Sequence, residues 1–114
     1  MMRKRLLTEF GLGTSLRRQD YTEASVRGVK NALWHNSINL AELFDRPKSD
    51  MLIDVEIGVA NPDAVDIAQI EAVFPYGQPN VHVVKGGLDI PRQDGGKPTV
   101  MANVAISVSF EMET

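Results

Sequence analysis

The sequence predicts a two-layer α/β sandwich: two helices packed on one side of a mixed four-stranded sheet, in an α+β chain. Three observations lead there. Met51, Ile53, Val55, Ile57 and Val59 alternate with Leu52, Asp54, Glu56 and Gly58, and Val100, Ala102, Val104, Ile106, Val108 and Phe110 alternate with Met101, Asn103, Ala105, Ser107 and Ser109. Both are the period-2 pattern of half-buried strands. Between such strands lie two stretches whose apolar residues recur at helical spacing. Every expected strand has one bulky apolar face and one mixed face, and two helices can cover only one side of such a sheet.

The first strand is expected over residues 4–10, with Leu6, Thr8 and Phe10 on one face and Arg5, Leu7 and Glu9 on the other. Gly11 and Gly13 then open a turn. Asp20 followed by Glu23 fits a capping box, so a helix should start near Tyr21. Its buried stripe is Val26, Val29, Ala32 and Leu33, and it should fray near His35-Asn36-Ser37. Asn39 is placed to cap a short turn that folds Leu40, Leu43 and Phe44 back on the core. Residues 45–50, with Pro47, form a polar connector, and residues 51–60 are the clearest strand. A second helix follows at about residues 64–74, with Asp66 and Gln69 as a cap pair and Val65, Ile67, Ile70, Val73 and Phe74 as its apolar set. Pro75, Gly77 and Pro79 end it. Residues 81–90 read as a strand bent at Gly86-Gly87. An exposed loop from 91 to 98 leads into the last strand, residues 99–111.

The element order is strand, helix, strand, helix, strand, strand. It resembles the layout of the trimeric Bacillus-type chorismate mutase fold, which implies a trimer or a multiple of one; no residue of that enzyme's site is matched. A ferredoxin-like fold is the alternative, but it wants a strand hairpin between the helices, where only one strand is expected.

The 114 residues make one domain, 1–114, long enough to bury about two thirds of the unfolded chain's surface. There is no cysteine, which excludes thiol redox chemistry and a disulfide framework. Twelve basic and fifteen acidic side chains leave a formal charge of −3, which does not point to nucleic acid. No apolar run approaches the roughly 20 residues of a membrane helix. The basic start, Met1-Met2-Arg3-Lys4-Arg5, is followed only by Leu6 and Leu7, too short for a secretory signal, so a cytoplasmic protein is expected.

Residues 9–20, Glu9-Phe10-Gly11-Leu12-Gly13-Thr14-Ser15-Leu16-Arg17-Arg18-Gln19-Asp20, hold the densest mix of glycine, hydroxyl and charge. A dinucleotide fingerprint would need a third glycine at position 16, where Leu16 stands, and there is no Walker lysine pattern. No cofactor is therefore expected. The sharper reading of the turn is an anion site, in which amides over residues 11–15 and the side chains of Arg17 and Arg18 hold a phosphate or carboxylate. The blander one is a strand-to-helix turn with solvated arginines, favoured by Asp20 already filling the free amides of the helix start.

The chain also resembles a small family of uncharacterised proteins marked by an N-terminal Gly-x-Gly-x-Asp-x-His-Gly motif. The likeness runs through Glu9-Phe10-Gly11, Gln19-Asp20, Thr22, Ala24, Val26-Arg27, His35-Asn36-Ser37, Phe74-Pro75-Tyr76-Gly77, Gly86-Gly87-Leu88 and Ala102-Asn103. Gly11 and Gly13 match the motif, while Ser15 stands at its Asp, Arg17 at its His and Arg18 at its last Gly. The resemblance implies a fold and a loop of interest, without the Asp and His that suit metal or proton chemistry.

On the mixed sheet face, Glu9, Asp54, Glu56 and Asn103 are expected to point away from the helices. Asp54 and Glu56 sit about 6.6 Å apart along one strand, a span that suits an acid and base flanking a substrate rather than a shared metal, but the favoured reading of the pair is an ordinary solvated antiparallel face. Asn103, in an apolar run, is expected to be buried and hydrogen-bonded. His35 and His82 show no metal-ligand spacing, and no metal is expected. Trp34 is read as a packing residue. Two functional classes remain. One is a homo-oligomeric domain that binds a small anionic metabolite through Gly11, Gly13, Thr14, Ser15, Arg17, Arg18 and Asn103, or that serves as an assembly module. The other is a small-molecule isomerase, lyase or hydrolase with a site between subunits, using Glu9 or Asp54 with Arg17. The small, apolar character of Leu7, Leu52, Met101, Ala105, Ser107 and Ser109 favours self-association.

Overall fold

The computed structural model describes residues 2–34, 46–75 and 77–112. Among these, five strands form one mixed sheet and two helices lie on one side of it. The strands are β1 (Met2–Ser15), β2 (Leu52–Val59), β3 (Gln78–Lys85), β4 (Leu88–Ile90) and β5 (Thr99–Met112); the helices are α1 (Tyr21–Trp34) and α2 (Ile67–Glu71). The sheet order is β1-β5-β2-β3, with β4 also paired to β5. Only β2 and β3 run parallel. The expected α/β architecture is thus present, with five strands rather than four. Expectations about His35, Asn39, Leu40, Leu43 and Phe44 lie outside the described residues.

The fifth strand comes from the Gly86-Gly87 bend. β2 leaves β5 at Gly58, and β4 takes its place beside β5 at residues 99–101. The chain crosses the end of β2 at this point. Gly86 N–H donates to the Val59 carbonyl at 2.8 Å, and a Cβ at Gly86 would lie 3.1 Å from the Gly58 Cα. Gly87 has φ +60 and backbone packed on both sides of it, a position only glycine fits. The expected bend therefore makes a separate short strand.

The first strand is longer than expected, and the turn placed at Gly11 and Gly13 is corrected. β1 pairs antiparallel with β5 through Ser15, with Gly11 opposite Val104 and Gly13 opposite Ala102. These glycines are strand residues under α1. A Cβ at Gly11 would lie 2.4 Å from the Gly28 carbonyl oxygen, and one at Gly13 only 1.9 Å from that of Ala24. Their missing side chains let the helix backbone rest on the strand. The helix answers with Ala24, Gly28 and Ala32, four residues apart and all buried. Its buried stripe is therefore this small-residue row with Tyr21, Thr22, Ser25 and Val29, while Val26 and Leu33 pack half-buried beside it. Trp34, read as a packing residue, is 86% exposed.

A register shift between Arg5 and Leu7 exchanges the faces expected for β1. Beyond this bulge Glu9 pairs with Ile106 and shares the helix side with Gly11 and Gly13. Arg5, Thr8, Phe10, Leu12 and Thr14 take the open side. β2 and β5 keep the faces expected, and their inward residues form the core.

At the start of α1, Asp20 Oδ1 accepts from Glu23 N–H at 2.9 Å, half of the expected capping box. The other half is replaced: Glu23 pairs with Arg27 at 2.6 Å, and Asp20 N–H donates to Ser15 Oγ at 3.2 Å. The second helix is shorter than expected, a 3-10 turn at Pro62–Ala64 followed by α2. Asp66 caps it as expected, accepting from Ala68 N–H and Gln69 Nε2, each at 3.1 Å. Thr22 ties this segment to α1, its hydroxyl donating to the Ala64 carbonyl and accepting from Asp66 N–H at 2.9 Å.

Candidate functional site

The face of the sheet opposite the two described helices is a grid that the strand register defines. Across β1, β5, β2 and β3, one row reads Thr8, Ser107, Asp54, Asn80; the next reads Phe10, Ala105, Glu56, His82; the next reads Leu12, Asn103, Gly58, Val84. The row beyond carries Thr14, Met101 and Leu88, the last supplied by β4. His82, whose side the sequence leaves open, shares this face with Glu56.

The grid divides into two halves. In the lower half Arg3 on β1 pairs with Asp54 on β2, and the link passes over β5. That explains why Ser107 and Ser109 are buried on an otherwise open face; Ser107 Oγ also meets Thr8 Oγ1 at 3.1 Å. In the upper half nothing among the described residues covers the strands. Phe10 is 71% exposed, Leu12 57%, Leu88 55%, Ile90 52% and Val84 44%. Between the Phe10 and Val84 flanks runs a concavity of about 370 Å³, floored by Gly58 and Ala105 and edged by Glu56 and Asn103.

Asn103 is exposed, which corrects the expectation that it is buried. Its apolar sequence neighbours point alternately to the core and to the open face, so they do not enclose it. Glu9 and Asp54 lie on opposite faces of the sheet, and Asp54 is held by Arg3. The trio Glu9, Asp54 and Arg17 therefore does not converge.

The amides of residues 11–15 are not a free loop. Thr14 and Ser15 belong to the β1–β5 pairing, and Ser15 is buried with its hydroxyl engaged by Asp20. The outer edge of β1 is closed by α1: Asn31 Oδ1 accepts from Leu12 N–H at 3.0 Å, and Arg27 Nη1 donates to the Thr14 carbonyl at 2.8 Å. Such caps discourage edge-to-edge pairing. Arg17 and Arg18 are exposed on the following loop. Arg18 lines a cleft of about 370 Å³ between α1 and α2, with Asp20, Glu23, Arg27, Lys30 and Gln69.

One polar cluster had no signal in the sequence. Tyr21 Oη donates to Asp89 Oδ2 and accepts from Gln19 Nε2 at 3.2 Å. Gln19 has φ +53, the left-handed region. The second oxygen of Asp89, Oδ1, is buried with no hydrogen-bond partner among the described residues. The bond to Asp89, then burial, holds the Tyr21 phenol above its ordinary pKa of 10.0. In the window between 10.0 and the raised value the unfolded chain releases a proton that the folded chain keeps. Stability should thus fall as pH rises through it. Tyr21→Phe is expected to cost about 1–3 kcal/mol at neutral pH, since it strips a half-buried carboxylate of its donor. It should also flatten the loss above pH 10.0. Urea unfolding at several pH values checks both; equal stability of the two proteins would mean the bond contributes nothing.

The described residues contain no cluster of three His, Asp or Glu side chains placed to hold a metal ion, and no helix long and apolar enough to cross a membrane. No curated protein matches the chain. A solved structure from Nostoc punctiforme, described as an FtsZ-like protein of unknown function, is similar over 98% of this chain and 99% of its own, with 30% identity and a TM-score of 0.88. The model of a family described as conserved hypothetical proteins, Lin0512_fam, matches residues 5–108. Neither relationship indicates a specific activity. With the match running from within β1 into β5, the chain belongs to this conserved hypothetical family.

Proposed function

We propose that the chain is an assembly module, a homo-oligomeric domain whose open sheet face meets further copies of itself. One observation carries this reading: the upper half of the sheet face that carries none of the described helices exposes Phe10, Leu12, Val84, Leu88 and Ile90 together. Contiguous apolar area of this kind on a two-layer fold marks an interaction surface. The polar lower half, with its Arg3–Asp54 pair, supplies the rim that interfaces place around an apolar centre. The capped β1 edge directs association to the face rather than to that edge. A trimer or a multiple of one, in the cytoplasm, is the form expected. Sedimentation velocity of the purified chain tests the reading, and a monomer at micromolar concentration ends it.

A second reading, a small anionic ligand, is supported by the cleft between the helices. Arg27 there is committed to Glu23 and to the Thr14 carbonyl, but Arg18 and Lys30 bring two further positive charges to the same cleft. This moves the expected contact from the amides of residues 11–15 to side chains on α1 and the loop before it. Inorganic phosphate and short dicarboxylates are expected to raise the melting temperature of the wild type more than that of Arg18→Ala. Identical responses would remove the site.

A further inference from the structure

We propose that the trough on the open face is a binding site for a small organic ammonium ion, held between the Phe10 ring and the Glu56 carboxylate. This goes beyond self-assembly and does not depend on it, although the two would share walls.

The row Phe10, Ala105, Glu56 spans three adjacent strands. With strands about 4.8 Å apart, the outer two Cα atoms stand roughly 10 Å from each other. The residue between them is alanine, and the diagonal neighbour on β2 is Gly58, so the space above the middle strand stays empty. A cation seated there meets an aromatic ring on one side and a carboxylate on the other. Those two groups are what recognition of ammonium requires, because the ring's negative face and the carboxylate both attract positive charge. Asn103, two residues from Ala105 and exposed, adds an amide oxygen at the upper edge as an acceptor for an N–H donor. The flanking Leu12 and Val84 fit an apolar substituent on the amine.

The local charge decides the sign of the ligand. Glu56 forms no ion pair among the described residues, while Asp54, the next acid along β2 on this face, is already paired with Arg3. Lys85 reaches the trough where β3 ends, but its register partner is Val59, which belongs to the helix side. An exposed phenylalanine opposite a glutamate with no ion-pair partner among the described residues, across a floor of glycine and alanine, has no role in the packing of the core.

The test uses benzylammonium, with benzyl alcohol and benzoate as shape-matched neutral and anionic probes, titrated into the full chain and followed by amide chemical shifts. Benzylammonium should shift Phe10, Glu56, Asn103 and Ala105 saturably. Benzyl alcohol should bind about tenfold more weakly, and benzoate not at all. Glu56→Gln and Phe10→Leu should each weaken benzylammonium by about tenfold, with far-ultraviolet circular dichroism and unfolding midpoint unchanged because both side chains are exposed. Equal binding of the three probes, no saturable shift in these residues, or unaltered binding in Glu56→Gln would overturn the proposal. Sedimentation of the same samples separates it from self-assembly. A monomer that binds benzylammonium keeps the ammonium site and discards the module, and an oligomer that does not bind does the reverse.

Discussion

Gly13→Ala is expected to destabilise the fold by at least about 3 kcal/mol. The added Cβ would lie 1.9 Å from the Ala24 carbonyl oxygen, 2.2 Å from the Gly28 amide nitrogen and 2.9 Å from the Arg27 carbonyl carbon. All three are backbone atoms of α1, so no side chain can swing aside. Relief requires the helix to lift from β1, and the movement would loosen the Val29 and Ala32 contacts together with the two caps on the β1 edge. Overpacking usually costs about 1–3 kcal/mol because neighbours adjust; here the neighbour is a whole helix. Gly95→Ala supplies the comparison. Nothing lies within 4 Å of a Cβ there, so only its φ of +79 is at stake, and the cost should be about 1 kcal/mol. Chemical unfolding of the two variants measures the difference. Similar midpoints would mean that α1 does not sit on the strand as closely as described.

The same contact explains what could be read from the sequence and what could not. β2 and β5 were legible because bulky apolar residues alternate in them without interruption, and a strand with one covered face leaves that signature. β1 carries an equally regular alternation beyond its bulge, but the covered residues are Gly11, Gly13 and Ser15. Their inward-facing property is small size, which a search for apolar residues passes over and which reads as a turn. The matching signal lay in the helix: Ala24, Gly28 and Ala32 at four-residue spacing mark a face meant for close approach. Register was hidden for a similar reason. A single bulge at Leu6 moves every later side chain of β1 to the other face, and that sent Glu9 to the helix side and Phe10 to the open side. Asn103 shows the converse error. Its neighbours are apolar, yet in a sheet with one uncovered face burial follows position in the grid rather than composition of the run. Tyr21 and Asp89 meet only because the bend at Gly86-Gly87 brings β4 beside β5, and no local pattern records a contact between residues 68 apart.

The double variant Leu12→Lys with Leu88→Lys is expected to sediment as a monomer under conditions where the wild type is an oligomer. Both side chains are more than half exposed in the single chain, on the open face at its β1 and β4 flanks. Changing them should alter the stability of an isolated chain by no more than about 0.5 kcal/mol each, since neither belongs to the core. In an assembled face the same positions are apolar contacts, each worth about 1.5–3 kcal/mol when fully buried. Losing two of them, and placing like-charged ammonium groups on both facing surfaces, should weaken association by a hundredfold or more, on the order of 3 kcal/mol. The single change Leu88→Lys keeps the ammonium site apart from this result: it leaves Phe10, Leu12, Glu56 and Asn103 in place, so that variant should still titrate with benzylammonium. Ile67→Lys serves as the matched control, because Ile67 is 41% exposed on α2, on the opposite side of the sheet. It should leave the sedimentation coefficient unchanged. Should the control dissociate the oligomer while the double variant does not, copies meet through the helices and the open face is left to the ligand alone.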